Sequence, residues 1–181
     1  GYGAGAIVAF YTSASDKNGQ IQCMAYSTDN GRTFTKYEKN PVLTPFDGLK
    51  DFRDPKVFWY KPGKHWVMVL NERDGHSIYI SSNLKEWTYQ SHITGFWECP
   101  ELFELPIDGD PNNTKWVMYG ATGTYMLGSF NGKVFKPEMG KYQYTTGSIY
   151  AAQTFTNMPD GRRIQIGWGR ISHPGMPFNG M

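Results

Sequence analysis

Short apolar runs recur along the chain, each closed by residues that favour turns. One set reads Ala9-Phe10-Tyr11-Thr12, Val67-Met68-Val69-Leu70, Val117-Met118-Tyr119-Gly120 and Ile164-Gln165-Ile166-Gly167, with successive starts 58, 50 and 47 residues apart. A second set follows at Cys23–Ser27, Ser77–Ser81 and Thr124–Gly128, and a third at Thr33–Tyr37, Glu86–Tyr89 and Lys133–Lys136. Between these last two lie Thr28–Arg32, Ser82–Lys85 and Ser129–Gly132, rich in the Asn, Asp, Gly and Ser of hairpin turns. No segment of comparable length keeps a helical period, so the pattern predicts an all-β protein.

Two further segments precede the first set in a common frame, Phe52-Arg53-Asp54-Pro55 and Trp97-Glu98-Cys99-Pro100. Each is followed by an aromatic three residues past the proline (Phe58, Phe103), a turn, and then Lys64-His65-Trp66-Val67-Met68 or Lys115-Trp116-Val117-Met118. With these as innermost strands, each unit has four strands and roughly 50 residues, the size of a β-propeller blade. The first unit begins at its second strand and the last stops after its second, Ile164–Gly169. Residues 1–181 are therefore expected to form one partial propeller domain of about three blades' worth of strands, truncated at both ends.

Composition narrows the function. Net charge is only +2 and the Lys and Arg residues are scattered, so nucleic acid is not an expected partner. No apolar run approaches the ~18–20 residues that cross a membrane, and a membrane is not expected either. Cys23 and Cys99 lack metal-ligand spacing, and no cofactor or metal is expected. Cys23 reads as a core residue, while His65, His76, His92 and His173 read as surface or turn positions. Asn112-Asn113-Thr114 fits a glycosylation acceptor, a triplet common by chance. Ser27–Phe34 fits an Asp box, a propeller hairpin pattern also found in sialidases, and reads as a turn stabilised by side-chain hydrogen bonds.

The two framed segments carry the candidate chemistry. Innermost propeller strands line the channel, so Arg53-Asp54 and Glu98-Cys99 should project into a common funnel. Paired carboxyl groups in an aromatic-walled site are what glycosidic cleavage needs: one protonates the leaving oxygen and another supports an oxocarbenium-like transition state. Trp97, Phe52 and Phe96 are expected to wall the pocket and raise the acid's pKa by excluding water. The plainer alternative makes Asp54 a strand-opening residue paired with Arg53, and Glu98 an exposed strand end.

These two motifs resemble the R-D-P and E-C motifs of glycoside hydrolase family 32, the β-fructofuranosidases. The resemblance continues through Ala9–Ser13, Tyr150-Ala151-Ala152-Gln153-Thr154-Phe155 and Ile166-Gly167-Trp168-Gly169. It implies a five-bladed propeller domain of a retaining hydrolase acting on sucrose or fructans such as inulin and levan, extracellular or periplasmic, with cytoplasmic relatives known. It also implies that Glu98 is the general acid/base, that Asp54 stabilises the transition state, and that Arg53, Trp97 and Trp168 join them in binding sugar. Cys99 would be a buried neighbour supporting Glu98. The family's nucleophile is the Asp of an N-D-P-N-G motif, which this sequence does not contain, so the chain alone is expected to be inactive. Alternatives are another propeller glycosidase such as a sialidase, or a non-catalytic carbohydrate-binding propeller.

Overall fold

The computed structural model describes residues 2–46, 48–145, 147–170 and 175. The first sheet holds β1 (Ile7–Ser15), β2 (Gly19–Ser27) and β3 (Thr35–Lys36). The second holds β4 (Phe52–Tyr60), β5 (His65–Glu72), β6 (Gly75–Ser81) and β7 (Thr88–Thr94). The third holds β8 (Glu101–Ile107), β9 (Asp110–Tyr119), β10 (Thr124–Phe130) and β11 (Phe135–Gln143). The fourth pairs β12 (Ile149–Phe155) with β13 (Ile164–Gly169). Each strand pairs antiparallel with its sequence neighbour, so every sheet is a meander and the four follow one another as propeller blades.

Blades pack face to face, which explains why the middle runs are apolar without alternation. In β5, Met68 and Leu70 face the first sheet and cluster with Phe52, Tyr79 and Phe10. Val67 and Val69 face the third sheet and meet Leu102, Met118, Phe130 and Phe135. Phe103, Val117 and Tyr119 then cover Ala152 of the fourth. A strand covered on both sides buries every side chain, including polar ones such as Asn71, Glu72, His76 and Ser77.

The outer strands start later than the sequence pattern predicts, and the turns explain why. Asn83 Oδ1 accepts the N–H groups of Lys85 and Glu86 at 2.9 and 3.0 Å, and Asn131 Oδ1 accepts those of Lys133 and Val134 at 3.0 and 2.8 Å. In the Asp box, Asp29 Oδ1 accepts the Thr33 N–H at 3.0 Å. These donors are committed to the turn, so β7, β11 and β3 begin one or two residues beyond them. One side-chain device thus closes the same hairpin in three sheets, and the Asp box is one of its copies.

Below the channel mouth a buried polar tie joins three innermost strands. Lys56 Nζ of β4 lies 2.6 Å from Glu101 Oε1 of β8, and the fully buried Glu101 also accepts the Thr154 N–H and Oγ–H of β12 at 3.0 and 2.8 Å. Removing one member of such a group strands the others in a low-dielectric interior. Glu101→Ala is expected to cost about 3 kcal/mol or more in urea unfolding. Glu101→Gln, which keeps an acceptor oxygen, should lose less, and equal losses would mean that packing rather than charge holds the strands.

Candidate active site

Three innermost strands open in one frame: Arg53-Asp54-Pro55, Glu98-Cys99-Pro100 and Tyr150-Ala151-Ala152, each with an aromatic at Phe58, Phe103 or Phe155. The middle residue of each trio has a positive φ, 61° at Asp54, 42° at Cys99 and 52° at Ala151. Non-glycine residues adopt that conformation only when their surroundings impose it. The ladder shifts register between Arg53 and Lys56 and again between Tyr150 and Gln153, so both strands kink there. Arg53 and Asp54 lie inside β4, whereas Glu98 and Cys99 lie just ahead of β8 and do not begin a strand as the frame suggests.

The preceding blade supplies the hydrogen bonds that a kinked strand cannot make. Gln20 Oε1 accepts the Phe52 N–H at 2.8 Å, Gln22 Nε2 donates to the Phe52 carbonyl at 2.7 Å, and Thr12 Oγ1 accepts the Asp54 N–H at 3.1 Å. One blade on, Asn71 Oδ1 accepts the Glu98 N–H at 2.7 Å. Next, the Ala121 N–H reaches the Trp97 and Glu98 carbonyls at 2.9 and 3.0 Å, while the Ala121 carbonyl accepts the Ala151 N–H at 3.1 Å. Gly120 is obligatory beside this contact, because a Cβ there would stand 2.7 Å from the Trp97 carbonyl oxygen.

The three left-handed positions bring the side chains just ahead of them together. Arg53 Nη2 donates to Glu98 Oε1 at 2.8 Å, and the Tyr150 hydroxyl donates to Glu98 Oε2. Arg53 also bonds Asp51 and lies 3.8 Å from Asp54 Oδ2 through Nε. The same Asp54 oxygen accepts the Cys99 N–H at 3.0 Å, with Cys99 Sγ at 3.8 Å. Cys99 is only half-buried, and it supports Asp54 instead of the expected Glu98. Burial and the neighbouring Asp54 push its thiol up to about 12, which keeps it protonated and unsuited to attack.

The electrostatics of Glu98 run opposite to the sequence expectation. The Tyr150 hydrogen bond, opposed by partial burial and assisted by Arg53, holds Glu98 below its ordinary value of 4.5. Burial and the bond to Glu98 push Tyr150 up to about 12, so the phenol stays a donor. Phe52 and Phe96 do not wall the pocket, because both are buried in the cores between blades. Trp97 is exposed, with the Arg53 guanidinium 5.5 Å from its ring. Trp168, also exposed, meets Tyr150 edge-on at 6.3 Å, and Arg170 lies against both rings. Tyr150 is the group that the sequence reading missed as a site residue. Its signal was the third copy of the frame, disguised by Ala152 where the other copies have proline.

Two histidines also differ from expectation. His76 is fully buried in β6, and His92 lies in β7 between Ser77 Oγ at 2.8 Å and Asp74 Oδ1 at 2.9 Å. Both belong to the blade covered on two sides, where polar residues become interior ones. His65 opens β5 and bonds the Gly132 carbonyl at 3.0 Å, and His173 lies outside the described residues.

Comparison with known proteins gives this geometry a context. The family model described as "Glycosyl hydrolases family 32 N-terminal domain" matches residues 2–176. A levanase of Bacillus subtilis (strain 168) is 47% identical over 90% of this chain and 27% of its own length. An extracellular exo-inulinase of Meyerozyma guilliermondii is 40% identical over 84% of this chain and 33% of its own. Among solved structures, a β-fructofuranosidase of Schwanniomyces occidentalis complexed with fructosyl-erythritol superposes with a TM-score of 0.78 at 35% identity, covering 90% of this chain and 34% of that one. The chain thus spans about a quarter to a third of the length of these relatives.

A folded-state pKa held below the ordinary value stabilises the fold above about pH 4.5, and that contribution disappears as pH falls through the lowered pKa. Tyr150→Phe removes the largest cause. It is expected to return Glu98 toward 4.5 in a carbon-13 NMR titration and to shrink this part of the pH dependence. A Glu98 titration unchanged by the substitution would remove Tyr150 from the site.

Proposed function

The chain belongs to glycosyl hydrolase family 32, and from that membership we propose that the whole protein cleaves β-fructofuranosidic bonds in sucrose or in fructans such as inulin and levan, with retention of configuration. The carrying observation is the convergence of Arg53 and Tyr150 on the Glu98 carboxylate, beside Asp54, at the start of adjacent blades. Glu98 is the general acid/base: it protonates the departing glycosidic oxygen, then takes a proton from the water that releases the fructosyl group. Asp54 accepts hydrogen bonds from fructosyl hydroxyls and offsets the positive charge of the transition state. Arg53 fixes both carboxylates, while Trp97 and Trp168 offer exposed ring faces to the sugar. The extracellular exo-inulinase among the relatives supports a location outside the cytoplasm.

The nucleophile is the missing part. A retaining mechanism needs a second carboxylate ~5–5.5 Å from the acid, and no N-D-P-N-G motif supplies it here. Such a group would do two things. It would attack the anomeric carbon as the glycosidic bond breaks, and its negative charge would push the Glu98 pKa upward, against Tyr150 and Arg53. Glu98 gripped as a carboxylate by its own neighbours therefore fits half of a coupled pair.

In the whole protein, Glu98→Gln is expected to lower turnover of sucrose or inulin by about 10²–10⁴-fold. Asp54→Asn should lower kcat/KM by weakening transition-state binding, and wild-type rates in both variants would sink these assignments. The 181-residue chain alone is expected to hydrolyse neither substrate. Turnover by that chain, abolished by Glu98→Gln, would require a nucleophile among its own residues.

A further inference from the structure

Behind the Glu98 loop lies a buried polar pair that the proposed chemistry does not use. Asn71 of β5 and His76 of β6 are direct cross-strand partners, and both are completely buried. Asn71 Oδ1 accepts the Glu98 N–H at 2.7 Å. The His76 ring stacks on Phe96, two residues ahead of Glu98, with centroids 5.4 Å apart and planes 13° from parallel. Burial pushes this ring down to about 3, so it is neutral imidazole, and it is turned toward the Glu98 carbonyl. Neither ring nitrogen, nor Asn71 Nδ2, has a hydrogen-bond partner among the described residues.

Unpartnered polar atoms in a core cost stability, and an apolar pair of similar size would pack between these blades without that cost. Their position accounts for the polarity. Glu98 and Cys99 hold consecutive positive φ angles of 50° and 42°, a conformation that persists only when its surroundings over-determine it. Asn71 takes the N–H side of the Glu98 residue, and His76 faces its carbonyl side. Both blades that bury the pair are complete four-stranded sheets.

We infer that Asn71 and His76 are positioning residues for Glu98, fixing its backbone from behind and so setting where its carboxylate meets Arg53 and Tyr150. The inference rests on the proton-transfer role proposed for Glu98. Its test reads that carboxylate directly, so the two ideas can fail separately.

In the whole protein, the Glu98 carboxyl is titrated by carbon-13 NMR, with Glu98→Gln identifying its signal. Asn71→Ala is expected to raise the Glu98 pKa by roughly half a pH unit or more, as the bonds from Tyr150 and Arg53 loosen. His76→Phe keeps the stack on Phe96 and fills the same space, so it should fold, and it is expected to shift the titration in the same direction by less. Val69→Ala, on the same face of β5, should lower thermal stability while leaving Glu98 unmoved. In fructoside kinetics the two polar variants should lose kcat, with KM within about twofold of wild type. A Glu98 titration unmoved in either polar variant, or moved as far by Val69→Ala, overturns the inference. A protein without fructosidase activity whose Glu98 still responds to Asn71 would support the positioning role and sink the proposed function alone.

Discussion

A β-strand that kinks leaves backbone donors and acceptors outside its own ladder, and in a closely packed interior those groups must find partners elsewhere. That constraint organises the channel mouth. Each innermost strand turns through a left-handed residue, and the blade before it completes the hydrogen bonding: Gln20, Gln22 and Thr12 for the first, Asn71 for the second, Ala121 for the third. The site therefore belongs to the joints between blades. Its geometry is only as good as the register of one sheet against the next.

Much of the architecture was legible in the sequence because each blade states its pattern again. Repetition separates signal from accident: Trp-Val-Met recurs after a common frame, and the inner and middle strands of the sheets lie where the repeats put them. The starts of the outer strands were less legible. Asn83 and Asn131 divert backbone donors into the turns, and composition does not reveal that competition. Burial was misread for Phe52 and His76, since a strand covered on both faces has no polar side to read from the sequence, and for Phe96, a loop residue that packs on the His76 ring. The frame brought Arg53, Asp54 and Glu98 into view. Tyr150 went unrecognised because the third copy had lost its proline, and proline is the easiest letter of that frame to see.

The electrostatic balance at Glu98 clarifies what each neighbour does. A phenol donor and a guanidinium both favour the ionised carboxylate, so these groups orient the side chain and keep it deprotonated. They work against its holding a proton. A group that must act as acid in one step and base in the next needs an opposing influence that changes during the reaction. In the mechanism proposed for the whole protein, a carboxylate consumed in a covalent bond and later regenerated would be such an influence, because its charge would disappear at the moment when Glu98 is asked to act as the base.

Arg53, Glu98 and Tyr150 share one position in their respective repeats, one residue ahead of Asp54, Cys99 and Ala151, which all have a positive φ. That position behaves as a socket. The kink delivers whatever stands there to the axis, whether a cation, a carboxylate or a phenol, and the surrounding hydrogen bonds are made mostly by backbone atoms or by the blade before. Copying a blade therefore copies the socket and leaves its contents free. A single residue exchanged in one repeat changes the chemistry presented at the channel mouth while the other copies keep their places. In this chain, three blades present three different functional groups from equivalent positions, and a polar constellation is assembled on one repeated piece of scaffold.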